Sequence, residues 1–578
     1  MNNKAMNNET MNNEQIHSEL VRDQIAALIA AGLQGAQEEG ALPKFEMPPV
    51  VVDRPRQSGY GDYASPVCLR LAREARMSPR EIANRVVEHL PLAPFVGQVE
   101  VAGPGYINFT LETAWLTAQV EAILAAGERW GNVDIGQRQR VQVEFVSANP
   151  TGPITVASTR NAVIGDTLAN VLAAAGYEVE REYYVNDAGS QVRKFGESIY
   201  ACYAQALGRD EPFPEDGYHG HYVVEMGQEM ARQYGDRYLD LPRREAVRAL
   251  GTEGIACMVE EIRRDLAALG IEFDTWFYEK SLHESGLFDR AIQMLRDRDY
   301  IVERDGAVWF TSPDLDADAV LIRSPQVISE PDERPTYLAS DVAYVWNKLV
   351  ERGFDEAIYV WGADHHGDVP RVKAATKALG LDPERVVLII YQMVNLKRGG
   401  ADVRMSKRAG EFVTLRELLD EVGPDPIYFL LLTRTVDATI DFDLDLAVEQ
   451  SDKNPVYYVQ YAHARISSIL RYAADLGWDP QAPGDVSLLT HESELALIRK
   501  MLELPEIVAL AATQLAPHHL TFYAHDLAAV FHAFYRDCRV VAPEEPERTQ
   551  ARLTLTRAAR LTLAQALGLL GVTAPERM

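Results

Sequence analysis

The chain is poor in cysteine, with four in 578 residues, at positions 68, 202, 257 and 538, far apart and never arranged as C-x-x-C. That spacing suits neither a disulfide framework nor a structural zinc site, and the expected compartment is the reducing cytoplasm. Long apolar runs are missing as well. No stretch approaches the roughly 18 to 20 consecutive apolar residues of a membrane span, so a soluble protein is expected. Basic residues are outnumbered, 57 against 85 acidic, for a net charge of −28. Taken whole, that balance disfavours nucleic acid, because phosphate binding rewards Lys and Arg. The deficit is uneven, however. From Pro455 to the end, eleven Lys and Arg face thirteen Asp and Glu, which leaves room for a local basic groove in an acidic protein.

The length exceeds what one core supports and implies three or four domains. Residues 1–15, MNNKAMNNETMNNEQ, form a polar repeat without the apolar stretch of a secretory signal. They read as a frayed tail, with Met1, Met6 and Met11 as alternative starts. Residues 16–115 read as a small α+β unit: a helix in SELVRDQIAALIAAG, a short strand at PPVVVDR, a helix through YASPVCLRLAREARM, another opened by Ser78-Pro79 with Glu81, and a strand pair around GPG at 103–105.

Residues 116–445 read as strand–helix–strand repeats of a doubly wound, Rossmann-like parallel sheet. RVQVEFVS is a strand, STRNAVIGDTLANVLAAAG a helix closed by Gly176, and YEVEREYYV a second strand. The alternation resumes in YLASDVAYVWNKLVERG, EAIYVWGAD, PRVKAATKALG, RVVLIIYQMVNL and TLRELLDEVG, after an insertion at about 196–270. Residues 446–578 are helical by period throughout and predict an all-α bundle.

Two loops could carry chemistry. SANPTGPITVASTRNAVIGD, residues 147–166, is a Pro/Gly loop between a strand and a helix, where helix N–H groups are available to phosphate. Taken alone it is equally a structural turn. In the second loop, KRGGADVRMSKRAG, five cations and three glycines fall within fourteen residues of an acidic chain, as a loop closing on a polyphosphate requires; a solvated basic loop is the simpler alternative. GADHHG places Asp364, His365 and His366 beyond a strand end. Adjacent histidines on extended backbone point to opposite faces, and no third ligand is spaced to join them, so no metal is expected there.

The paired loops resemble the two signatures of class I aminoacyl-tRNA synthetases. VEFVSANPTGP, REYYVNDAGSQVRKFGES, TYLASDVAY, VWGADHHGDVPRVKAA, RMSKRAGEFVTL, NPVYYVQYAHARISSIL and the terminal APERM narrow the resemblance to bacterial arginyl-tRNA synthetases over about residues 16–578. The resemblance implies ATP-dependent attachment of L-arginine to its cognate tRNA through an arginyl-adenylate, by a cytoplasmic monomer using ATP with Mg²⁺. It implies that the N-terminal unit touches tRNA and that the helical unit binds the anticodon. By position it assigns Glu144, Ser147, Asn149, Tyr337 and Asp341, with Glu279, to the arginine pocket. Tyr337 and Asp341 stand at i and i+4, on one helical face, and a carboxylate beside a flat polar partner suits a planar guanidinium. It assigns Pro150, Gly152, Ala157, Arg160, His365, His366, Met405 and Ser406 to ATP, and Tyr461, Arg465, Tyr535 and Met578 to tRNA.

One departure stands out. Where the family has His-x-Gly-His, this chain has Thr155-Val156-Ala157-Ser158. Loss of one preorganised transition-state donor costs about 10² to 10³ in rate. Threonine and serine hydroxyls still donate, the helix N-terminus remains, and Arg160 is expected to reach a phosphate. Thr155, Ser158, Arg404 and Lys407 are therefore the expected catalytic set, with Arg404 standing where the family has Lys. Two other readings compete: an impaired paralogue that binds tRNA or arginine as a regulator, and an adenylate-forming ligase with a different acyl acceptor.

Overall fold

The computed structural model describes residues 20–55, 57, 59–328, 330, 333–403 and 413–578. The N-terminal repeat and the RMSKR segment lie outside them.

The N-terminal unit packs helices α1 (Val21–Glu38), α2 (Val67–Ala75) and α3 (Pro79–Glu88) on an antiparallel sheet of β1 (Tyr63–Ser65), β2 (Val96–Ala102) and β3 (Tyr106–Leu111), in the order β1-β3-β2. Ser78 caps α3 by accepting from the Glu81 N–H at 3.2 Å. Two expectations change here. PPVVVDR forms no strand beyond the single bridge Asp53–Ala64, since prolines 48, 49 and 55 remove ladder donors. Tyr63–Ser65 is strand rather than helix; Pro66 sets the N-cap, and α2 starts after it.

After α4 (Thr113–Ala126) comes the central sheet of β4 (Arg140–Glu144), β5 (Glu178–Val185), β6 (Thr275–Tyr278), β10 (Glu356–Gly362) and β11 (Val386–Tyr391). All pairs are parallel, and the order is β11-β10-β4-β5-β6. Sequence order runs one way from β4 and the other way from β10, so the switch point lies between these two strands, where doubly wound sheets bind ligands. A small sheet of β7 (Ile301–Arg304), β8 (Ala307–Phe310) and β9 (Ala319–Ile322) stands apart, as does one of β12 (Val394–Arg398), β13 (Ala401–Asp402) and β14 (Ile440–Asp443). RVVLIIYQMVNL is thus two strands in different sheets, broken at Gln392 and Met393.

Helix α5 (Val156–Ala174) crosses from β4 to β5 and is buried on nearly every side, which its small residues permit. Gly165 lets it lie against the strand: a Cβ there would stand 2.3 Å from the Phe145 Cβ. The insertion is helical, with α6 (Ser190–Ala206), α7 (His221–Tyr234) and α8 (Arg243–Leu269) packed on one another. Helix α9 (Tyr337–Trp346) runs on into a π-helical segment, Asn347–Glu351. Next come α10 (Val369–Ala378) and α11 (Leu415–Val422), the latter opened by a capping box between Thr414 and Glu417.

The remainder is α12 (Pro455–Asp475), α13 (Glu492–Met501), α14 (Leu504–Gln514), α15 (His518–Asp537) and α16 (Pro546–Leu569), with short connections. One apolar core runs through the N-terminal unit, the sheet and this bundle. Arg54 ties the N-terminal unit to α14 by donating twice to Glu506, each at 3.0 Å. Among the described residues no helix is long and apolar enough to cross a membrane.

Candidate active site

The crevice begins where β4 ends. Val146 and Ser147 take φ of +63° and +39°, a conformation that costs about 1 to 3 kcal/mol per non-glycine residue and is worst for β-branched valine. Asn161 of α5 holds it there: its Oδ1 accepts from the Val146 N–H at 2.7 Å, and its amide donates to the Val360 carbonyl of β10 at 2.7 Å. One side chain thus pins together both strands of the switch point. The turn places the Ser147 hydroxyl 3.1 Å from Glu144 Oε1, while its oxygen accepts from the Tyr184 N–H at 3.1 Å. Asn149 is exposed at the mouth, and Pro150 is buried beneath it.

The first loop is then fixed from two sides. Tyr222 of α7 donates to the Thr151 carbonyl at 2.7 Å, close against Gly152. At the loop's far end Thr155 bridges Thr414: the Val156 N–H donates to the Val413 carbonyl at 3.2 Å and the Leu415 N–H to the Ile154 carbonyl at 2.8 Å. The foot of the second loop is therefore zipped to the start of α5. Arg404, Met405, Ser406 and Lys407 belong to that loop and lie outside the described residues. Thr155, Ala157 and Ser158 are partly exposed at the N-terminus of α5, and Thr155 as N-cap forms no side-chain capping bond. Both hydroxyls stay available to a ligand.

Arg160 does not join them. It is fully buried, donating to the Gln392 and Ala438 carbonyls at 2.7 Å and to that of Thr435 at 3.0 Å. Burial pushes its pKa down to about 10. The expected phosphate contact fails on helical geometry, because two residues beyond Ser158 is roughly 200° around the axis, on the opposite face. Arg160 is a strut to the β11–β12 connection and to the loop before β14.

His365 and His366 are exposed just past β10, on a 3₁₀ turn at Ala363–Asp368 rather than on extended backbone. His365 lies between Asp364 and Asp368, at 3.7 and 3.5 Å, with its ring 5.6 Å from that of Trp361.

Opposite the loop, α9 presents Tyr337 and Asp341. Tyr337 lines a cleft of about 70 Å³ with Asn186, Gln191, Glu279 and Arg323, and its hydroxyl accepts from Gln191 at 2.9 Å. Glu279 is buried, accepting from the Ser340 hydroxyl at 2.6 Å and, with the amide oriented to donate, from Asn186 at 3.0 Å. Burial raises its pKa. Asp341 has no hydrogen bond or ion pair among the described residues; burial, then the charges of Glu144 and Glu279, push its pKa well above the ordinary range. Asp341 is half-buried, and a partly desolvated carboxylate without a partner favours a cation. Asn186, Gln191 and Ser340 were missed in the sequence, although all three lie within segments that carry the resemblance.

In the helical unit, α12 and α15 bring Tyr461, Arg465 and Tyr535 together: the guanidinium lies 5.2 and 5.7 Å from the two ring centroids and reaches the Tyr461 hydroxyl. Tyr457 stacks on Tyr461. Exposed Met578 lines a separate cleft of about 400 Å³ with Asn454, Tyr457 and Gln460.

A parallel sheet with its switch-point crevice fed by two joined loops, followed by a helical bundle, is the architecture of class I aminoacyl-tRNA synthetases. Methionyl-tRNA synthetase of Mycobacterium tuberculosis shares the fold at 14% identity, with a TM-score of 0.51 over 75% of this chain and 91% of that one. Three family models match: arginyl tRNA synthetase N terminal domain at residues 23–111, the class I (R) catalytic domain at 119–210 and 249–426, and the DALR anticodon binding domain at 459–578. An arginine–tRNA ligase of Dehalococcoides mccartyi (strain CBDB1) is 48% identical over 552 residues, covering 95% of this chain and 98% of its own. One from Moorella thermoacetica is 48% identical over 551 residues, covering 94% and 96%. The arginyl-tRNA synthetase of Thermus thermophilus superposes with a TM-score of 0.75 at 26% identity, covering 97% of this chain and 100% of that one. The chain belongs to the arginyl-tRNA synthetase family.

Proposed function

We propose that the crevice joins L-arginine to ATP and passes the arginyl group to its cognate tRNA, with the residues above in the following roles. The observation that carries this reading is the backbone junction of Ile154–Val156 with Val413–Leu415, which sets the α5 N-terminus beside the foot of the Lys407 loop. Mg·ATP binds between the two. The arginine carboxylate attacks the α-phosphate, the bond to the β-phosphate oxygen breaks, and pyrophosphate leaves. Thr155 and Ser158 donate to phosphate from one side in place of two imidazoles, and Lys407 and Arg404 offset charge from the other. A hydroxyl of the terminal adenosine then takes the arginyl group and AMP departs. Catalysis is by positioning and electrostatics, with no covalent enzyme intermediate.

Asp341 and Tyr337 receive the guanidinium, with Glu279 behind them; Glu144, Ser147 and Asn149 line the rest of the arginine pocket. A site built on desolvated carboxylates rejects an uncharged isostere, because the carboxylate would be left unpaired. Tyr461, Arg465 and Tyr535 offer stacking faces and a guanidinium to anticodon bases, Met578 meets the tRNA from its own cleft with Tyr457, and the N-terminal unit meets another part of the tRNA. Relatedness to arginine–tRNA ligases along nearly the whole chain favours this reading over the impaired regulator. The protein acts as a cytoplasmic monomer.

Exchange of labelled pyrophosphate into ATP tests the first half-reaction. Exchange that needs both arginine and tRNA is expected. Exchange without tRNA would point to a different acyl acceptor, and none under any condition would remove the ligase reading.

A further inference from the structure

Beneath the arginine pocket lies a cation that no substrate contact explains. Lys348 is completely buried, with Nζ 2.6 Å from Glu144 Oε2. Its ammonium also sits over the rings of Tyr344 and Tyr359, 3.9 and 3.6 Å from their centroids. The π-helical segment Asn347–Glu351 delivers it there, a rare geometry that frequently marks functional sites. The neighbouring charges pair off. Arg352, one turn on, bridges Glu180 and Glu182, and Glu182 also accepts from the Tyr344 hydroxyl. Glu144 is taken by Lys348. Asp341 and Glu279 remain without a cation, and arginine brings two positive groups, its guanidinium and its α-ammonium.

We propose that Lys348 is a positioning residue that sets the charge balance of the arginine pocket: by neutralising and fixing Glu144 it leaves Asp341 as the carboxylate that recruits the substrate's guanidinium. This deepens the function proposed above and rests on the placement of Glu144 and Asp341 in that pocket. Without Lys348, Glu144 would stand as an uncompensated carboxylate beside Asp341, which already feels Glu279, and Asp341 would hold its proton more tightly. Without Glu144, the Lys348 amine, whose pKa burial already lowers, would have lost its nearest counter-charge, and its protonated fraction would repel the substrate. The groups around Lys348 are Glu144 on β4, Glu182 on β5, Tyr359 on β10, and Tyr344 and Arg352 on its own helix. Those around Asp341 are Glu144, Glu279, Asp368 and Lys348.

The test is a cycle of Lys348→Met, Glu144→Gln and the double variant in the full chain, assayed by tRNA charging against arginine, ATP and pH. Lys348→Met is expected to raise the arginine KM about tenfold or more, with the KM for ATP little changed. It should also move the acid limb of kcat/KM for arginine upward by about one pH unit. Glu144→Gln is expected to raise the arginine KM, and adding Lys348→Met should lower it again, because a neutral pair replaces a lone ammonium. If Lys348→Met fails to fold, the comparison of Glu144→Gln with the double variant still decides. Equal arginine KM values in those two, or a Lys348→Met enzyme that weakens arginine and ATP alike with an unmoved acid limb, would overturn the proposal. A wild type that charges no tRNA would instead count against the function itself.

Discussion

Replacing Ser158 by alanine separates chemistry from stability. The Ser158 hydroxyl, at the N-terminus of the 19-residue helix α5, makes no hydrogen bond among the described residues, so the folded chain loses no internal contact when it goes. A surface change of that kind alters stability by no more than about 0.5 kcal/mol. If the hydroxyl donates to phosphate as adenylate forms, its loss costs about 2.7 to 4 kcal/mol of transition-state stabilisation, a fall of roughly 10² to 10³ in rate. Thr155→Val, isosteric at an N-cap that uses no side-chain bond, should behave alike. The pair should fall less than the product of the singles, because both donors serve one phosphate cluster and the helix N-terminus remains. Single-turnover adenylate formation with tRNA bound gives the rate, and thermal denaturation gives the stability. Rates within about threefold of wild type at unchanged Tm would show that neither hydroxyl donates to phosphate and leave that contact to the helix amides and the second loop.

Asp341→Asn should abolish saturable arginine binding yet stabilise the free protein at neutral pH by about 0.5 to 2 kcal/mol, measured by chemical denaturation with and without arginine. The sign follows from its raised pKa: the folded chain favours the protonated acid, so this contribution is present at low pH and is lost as pH rises through the folded value. The gain in the Asn variant should therefore fade toward acid. Arg160→Met takes the donor from three part-buried carbonyls and leaves an apolar side chain in its place, and should destabilise by about 1 to 3 kcal/mol while leaving the KM for ATP unchanged in the folded fraction. A raised KM for ATP without loss of stability would restore Arg160 to the phosphates. Tyr535→Ala should weaken tRNA by about 1 to 3 kcal/mol, seen as a higher KM for tRNA with the KM for arginine unaltered.

The alternating strands and helices of the sheet were legible because buried parallel strands and α5 write their periods plainly, and Ser78 and Thr414 mark helix starts by side-chain chemistry. Prolines misled at PPVVVDR, where an apolar run lacks the donors to pair. RVVLIIYQMVNL concealed a change of sheet, since an apolar run carries no sign of which partner each half pairs with. The resemblance named candidate site residues but not the contacts around them: Asn161, Tyr222, Ser340 and Lys348 act through contacts 15 to more than 200 positions away in the chain. Arg160 shows the limit from the other side. Nearness along a helix is not nearness in space, and its position turns it away from Ser158.

The most direct test is charging of total bacterial tRNA with labelled arginine by the purified protein, beside a Lys407→Ala variant. Arginine should be esterified to tRNA by the wild type and almost not at all by the variant, showing that the chain charges tRNA with Thr155 and Ser158 where the resemblance implies two histidines. Bound tRNA that remains uncharged would contradict it and return the chain to the reading of a regulator that has lost its chemistry.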